Sequence, residues 1–215
     1  MYSASELFQP LNLLSTLLAV ILAMGVHEAG HAWAAWKLGD PTAKQNGRLT
    51  LNPFEHVDWF GLICLVFFGF GWAKPVDVDP RYFRNPKGGM AWTAFAGPAA
   101  NFVLGFLCVL GTLLLSAADG SALAYILSMV LSRTAILSVG FGIFNLIPIP
   151  PLDGAKVLYV FLPDETYFRV NRGSPVFLIA FIIILYTGVF DTFLQNAEVG
   201  ILAFFLHICE MITGI

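Results

Sequence analysis

The sequence predicts an all-α, polytopic membrane protein of about five spanning helices, with a small strand-containing, partly re-entrant segment between the first two. Three observations predict it. Of 215 residues, 58% are hydrophobic and 12% charged, about half the charged share of a soluble domain. Apolar runs recur at or near the roughly 20 residues a helix needs to cross a hydrocarbon core. Lysine and arginine gather in alternate connections, as membrane topology requires. The formal net charge of −3 gives no nucleic-acid signature.

The first run, Leu13 to Leu38, has no basic stretch before it and no small-residue cleavage site after a short core, so it reads as a permanent helix. Thr42 to Pro80 follows. Arg48-Leu49-Thr50-Leu51-Asn52-Pro53 alternates polar and apolar in strand fashion, and Trp59 to Trp72 is apolar but too short to span. Backbone that is not helical at membrane depth must be covered by protein or face water. The next spans are Gly89 to Ser116 and Ser121 to Ile147, then two shorter ones, Pro175 to Phe190 and Val199 to Gly214. The length suits one integral-membrane domain over residues 1–215, with a core over about 11–156 and C-terminal helices over about 157–215. Cys64, Cys108 and Cys209 stand apart in apolar sequence and read as buried free thiols.

Seven basic residues lie between the first and second spans: Lys37, Lys44, Arg48, Lys74, Arg81, Arg84 and Lys87. Lys156, Arg169 and Arg172 lie between the third and fourth. The N-terminus, the turn after Ser116 and the Asp191 to Glu198 loop have none. This predicts a multi-pass protein of the cell membrane with its N-terminus outside and the basic connections in the cytosol. Arg133, inside the third span, is the exception and should pair within the bundle.

Against this background His27-Glu28-Ala29-Gly30-His31 stands out, because ionisable groups are costly inside an apolar run unless they meet a metal or one another. On a helix His27 and His31 share one face a turn apart, as two imidazole ligands of one zinc ion require. Glu28 lies beside them, free to take a proton from the attacking water. Trp33, Trp36 and Lys37 mark the cytosolic interface, so the motif sits in the cytosolic third of the membrane.

Two histidines do not complete a catalytic zinc site. The third span runs from outside to inside, so Asn145-Leu146-Ile147-Pro148-Ile149-Pro150-Pro151-Leu152-Asp153-Gly154 emerges on the side of His31. Its prolines prevent regular helix and allow Asp153 to project inward as a third ligand. Capping a short helix is the alternative use of that carboxylate. Asn145 could donate to an oxyanion. Asn101, in the second span, is a candidate for contact with a neighbouring helix or with substrate.

Together these residues resemble the site-2 protease family of intramembrane zinc metalloproteases. The resemblance rests on His27 to His31, on Asn145 through Asp153-Gly154, on Gly97-Pro98-Ala99-Ala100-Asn101, and on Gly71-Trp72-Ala73-Lys74-Pro75-Val76. It implies a three-helix catalytic core, one zinc held by His27, His31 and Asp153, Glu28 as base, and Asn145 near the scissile carbonyl. It also implies substrates that are transmembrane helices. No inserted PDZ-type or CBS-type domain is visible. A strand within Thr42 to Pro80 would then pair with unwound substrate. Two other readings use the same residues: a transporter or ion-binding protein with a buried relay, and a non-catalytic membrane scaffold. The absence of repeated broken helices weighs against the first, and a complete set of ligands and base weighs against the second.

Overall fold

The architecture comes from a computed structural model, which describes residues 10–68, 71–117, 121–163, 165–166, 183–184 and 187–215. Among them, four helices are long and apolar enough to cross a membrane. These are α1 (Pro10–Lys37), α4 (Pro86–Ser116), α5 (Ala122–Asn145) and α7 (Asp191–Thr213). The predicted fourth span, Pro175 to Phe190, lies mostly outside the described residues, so five spans reduce to four here. Helix α4 is central, packing on both α1 and α5, and α7 closes over α4 and α5.

Local chemistry sets the helix ends. Asn85 caps α4 by accepting from Gly88 N–H, with Pro86 at the first helical position. Ser121 caps α5 by accepting from Ala124 N–H at 3.1 Å. Gly39, at φ +106°, turns the chain out of α1. Helix α7 begins at Asp191, eight residues before the predicted span. Its polar first turns were read as a loop, but a helix needs apolar residues only where lipid surrounds it.

Small residues let α1 and α4 approach closely. A Cβ on Gly30 would stand 2.7 Å from the Ala96 carbonyl and 2.9 Å from Ala100 Cβ. Large apolar side chains instead face outward, among them Leu14, Trp92, Val103, Leu107, Val199 and Phe204. Such a surface fits lipid. Cys64, Cys108 and Cys209 are buried and free, as expected. Arg133 pairs inside the bundle, where it donates to Thr16 Oγ1 and Asn12 Oδ1 of α1.

Residues 42–80 do not contain the predicted strand. They form short α2 (Thr42–Gln45), a 3₁₀ turn (Pro53–His56), α3 (Trp59–Phe68), an extended stretch and a second 3₁₀ turn (Pro80–Tyr82). No strand occurs among the described residues. The alternation that suggested one has another cause. Arg48 is the buried member and Leu51 the exposed one, at 6% and 77% exposure, the reverse of an amphipathic strand. Thr50 Oγ1 and Asn52 Oδ1 accept from Asn52 and Phe54 N–H, local bonds that compete with a ladder. Helix α3, of 10 residues, reaches about 15 Å, half the membrane core.

Candidate metal centre

Three elements bring three donors together. His27 and His31 project from α1, one turn apart. Asp153 comes from the start of α6 (Asp153–Tyr159), after the proline-rich turn that ends α5. That turn doubles back on its own helix: a Cβ on Gly154 would lie 2.2 Å from the Leu146 carbonyl oxygen. Ile147 and Leu152 are buried together and hold the turn against Phe144 and Leu194. Asp153 is therefore fixed by packing on both sides.

The donor atoms form a nearly equilateral triangle. His27 Nε2 to Asp153 Oδ2 is 3.1 Å, His31 Nε2 to Asp153 Oδ2 is 3.0 Å, and the two Nε2 atoms are 3.0 Å apart. Donors about 2.0–2.1 Å from a zinc ion stand about 3.3–3.4 Å apart along a tetrahedron's edge. The observed edges agree within a few tenths of an ångström, and all three residues are buried. Two imidazoles and one carboxylate suit zinc and leave a fourth position open. The helix-cap alternative for Asp153 does not describe its contacts, since Oδ2 faces the histidines and Oδ1 lies 3.4 Å from Lys156 Nζ. Burial alone would raise the Asp153 carboxyl. Hydrogen bonding with His27 and His31, and the Lys156 charge, outweigh it and hold the group well below the usual carboxylate range.

Helix α4 backs the histidines, through features that residue type did not advertise. His31 Nδ1 donates to the Thr93 carbonyl at 2.7 Å. A carbonyl only accepts, so Nδ1 carries a proton, and in the neutral ring Nε2 is then the nitrogen left to bind a metal. Gly97 lies between the rings and the helix. A Cβ there would stand 2.4 Å from His31 Cε1 and Nε2 and 2.9 Å from His27 Cε1. Pro98, next in α4, removes one rung of the hydrogen-bond ladder at this level. The Gly97-Pro98 pair was a visible signal, although its purpose was not.

Glu28 is buried beside the histidines but is not one of the three clustered donors. Its Oε2 accepts from Val76 N–H at 2.9 Å. Val76 belongs to the extended stretch, which is itself tied down. Lys74 N–H donates to the His56 carbonyl at 2.9 Å, and buried Arg48 donates to the Lys74 and Pro75 carbonyls. Further on, Asp79 N–H reaches Asp40 Oδ2 at 2.7 Å. His56 is thus an interior residue of the connection, its Nε2 against the Thr50 carbonyl. Asn101 is fully buried, with Nδ2 3.3 Å from His27 Nδ1. Asn145 is half-buried and donates to the Phe141 carbonyl of its own helix at 3.1 Å.

Comparison with known proteins points to the same chemistry. A sequence profile of peptidase family M50 matches residues 110–189. The provisionally named zinc metalloprotease YwhC of Bacillus subtilis is 35% identical over 185 residues, covering 84% of this chain and 84% of that protein. The provisionally named zinc metalloprotease Rip2 of Mycolicibacterium smegmatis is 30% identical over 172 residues, covering 76% of this chain and 64% of its own length. Rip2 of Mycobacterium tuberculosis is 28% identical over 193 residues, covering 85% and 72% respectively. No solved structure gives a significant match.

Proposed function

Since this chain belongs to peptidase family M50 and is a membrane zinc metalloprotease, we propose that it hydrolyses peptide bonds within the transmembrane segments of other membrane proteins. The observation that carries the reading is the buried triangle of His27, His31 and Asp153 at one end of lipid-facing helices. A protease acting on soluble chains has no need to bury its centre among spans.

His27, His31 and Asp153 are the ligands of one zinc ion. Bound there, zinc supplies a Lewis acid that acidifies water to a pKa of about 7 and polarises the scissile carbonyl. Glu28 takes the proton of the attacking water and returns it to the departing amine. The Val76 N–H on its Oε2 fixes that carboxylate's orientation. Asn145 Nδ2 leaves its bond to Phe141 and donates to the oxyanion. The site faces the cytosol: the ten lysines and arginines other than Arg133 lie in the connections on that side or at the span ends that border them. Lys37 Nζ, 4.8 Å above the Trp36 ring, marks the interface beyond His31. Residues 1–215 form one protease domain. A helical substrate hides its peptide bonds, so cleavage requires local unwinding, and helix-breaking residues near the cut should favour it.

The test uses the purified chain in detergent, zinc-loaded, against a panel of single-span substrates, with mass spectrometry of the products. Wild type should cut inside the apolar segment. Glu28→Gln should keep its zinc and lose about 10²- to 10⁴-fold in rate. Cleavage confined to soluble peptides would refute the proposal.

A further inference from the structure

We infer that Asn101 is a positioning residue for the metal centre: its side-chain carbonyl accepts the Nδ1 proton of His27 and so leaves Nε2 bare for zinc. This rests on the reading of His27 as a ligand. Asn101 is fully buried in a spanning helix, where an amide is costly unless it is hydrogen-bonded. His27 Nδ1 is 3.3 Å from its Nδ2, while its Oδ1 is buried without a partner.

The chemistry of ligation settles which amide atom must face the ring. A histidine that binds through Nε2 carries its proton on Nδ1. An amide NH₂ would oppose that proton donor to donor. A half-turn about Cβ–Cγ exchanges the two atoms and puts Oδ1 on the Nδ1 proton. Outward hydrogen bonds of this kind fix the tautomer and ring orientation of metal-binding histidines.

The register of the two helices supports the assignment. Thr93, Gly97 and Asn101 are spaced by four along α4 and present one face to His31 and His27 of α1. The Thr93 carbonyl takes the outward nitrogen of His31 at one end of that face. Asn101 meets the outward nitrogen of His27 at the other, and Gly97 makes room between. Each imidazole then has one acceptor behind it and one lone pair in front. The backbone serves His31, and a side chain serves His27.

The experiment measures zinc affinity of the purified full chain by competition with a chelator, with helix content as the check on folding. Asn101→Leu, similar in size but without an acceptor, should bind zinc about 10- to 100-fold more weakly. Asn101→Asp, which still accepts from Nδ1, should recover affinity to within a few-fold of wild type. Wild-type affinity in Asn101→Leu, or equal weakness in both variants, overturns the inference and leaves Asn101 as interhelical packing. Should Asn101→Leu fail to fold, cobalt(II)-loaded Asn101→Asp decides. A stronger acceptor behind His27 shifts the visible absorption of the ion, and an unshifted spectrum overturns the inference. His27→Ala separates the two readings: if it keeps wild-type affinity, the ligand assignment itself is wrong.

Discussion

Replacing Gly97 with alanine adds one methyl group where the histidine rings already stand. The new Cβ would lie 2.4 Å from His31 Cε1 and Nε2 and 2.9 Å from His27 Cε1. Carbon atoms at rest sit about 3.5–4.0 Å apart, so a ring or the helix must recede by about 1 Å. A zinc ligand tolerates about 0.2 Å. If the rings recede, the triangle opens beyond what the ion can bridge. If α4 recedes instead, the close seam at Gly30 and Ala96 loosens, and overpacking of this kind costs about 1–3 kcal/mol. Either way Gly97→Ala should weaken zinc binding by about 100-fold or more, equivalent to about 2.7 kcal/mol. The assay is chelator competition on detergent-purified protein, beside thermal unfolding of the metal-free form. Gly200→Ala is the matched control, because a Cβ on Gly200 meets nothing within 4 Å. Zinc affinity equal to wild type in Gly97→Ala would refute the argument that the glycine exists to seat the rings.

Asp153→Ala removes the donor that joins the turn after α5 to α1; the protein should then lose its zinc on dialysis, read by elemental analysis, and all cleavage with it. Asp40→Ala should act at a distance. Its carboxylate accepts from Thr42 N–H at 2.9 Å and from Asp79 N–H at 2.7 Å, and it is fully buried. A fully buried N–H left without a partner costs about 1–3 kcal/mol, and these part-buried ones cost less. The extended stretch should loosen, with faster hydrogen exchange at Val76, reduced cleavage and undiminished zinc content. Unchanged exchange at Val76 would show that this anchor does not hold the stretch.

Much of this was legible because membrane chemistry writes in residue type. The first three spans were located to within a few residues of α1, α4 and α5. The histidine pair was readable because residues four apart share one helical face. Asp153 was readable because the third crossing returns the chain to the side on which the first one ended. What could not be read has one physical origin. A backbone carbonyl at Thr93, a backbone N–H at Val76 and an absent Cβ at Gly97 act through position; any residue supplies the first, and any but proline the second. The strand reading failed for a related reason. Alternation reports which side chains differ, not which face is inward, and here the arginine went in.

The same facts explain why the site is made of pieces so far apart in the chain. A histidine pair alone on α1 would face lipid or a neighbouring helix with four unsatisfied ring nitrogens, at considerable cost. Helix α4 offsets part of that cost by accepting from the outer nitrogen of His31. The turn after α5 removes more, because Asp153 supplies a negative charge to the inner nitrogens. An ion in that position therefore ties α1 to the turn with α4 behind both. Metal binding and helix docking become one equilibrium. Zinc removal should consequently loosen the α1–α4 seam as well as stop turnover. Glu28, beside the cluster, is held by a different segment and takes no part in that joint.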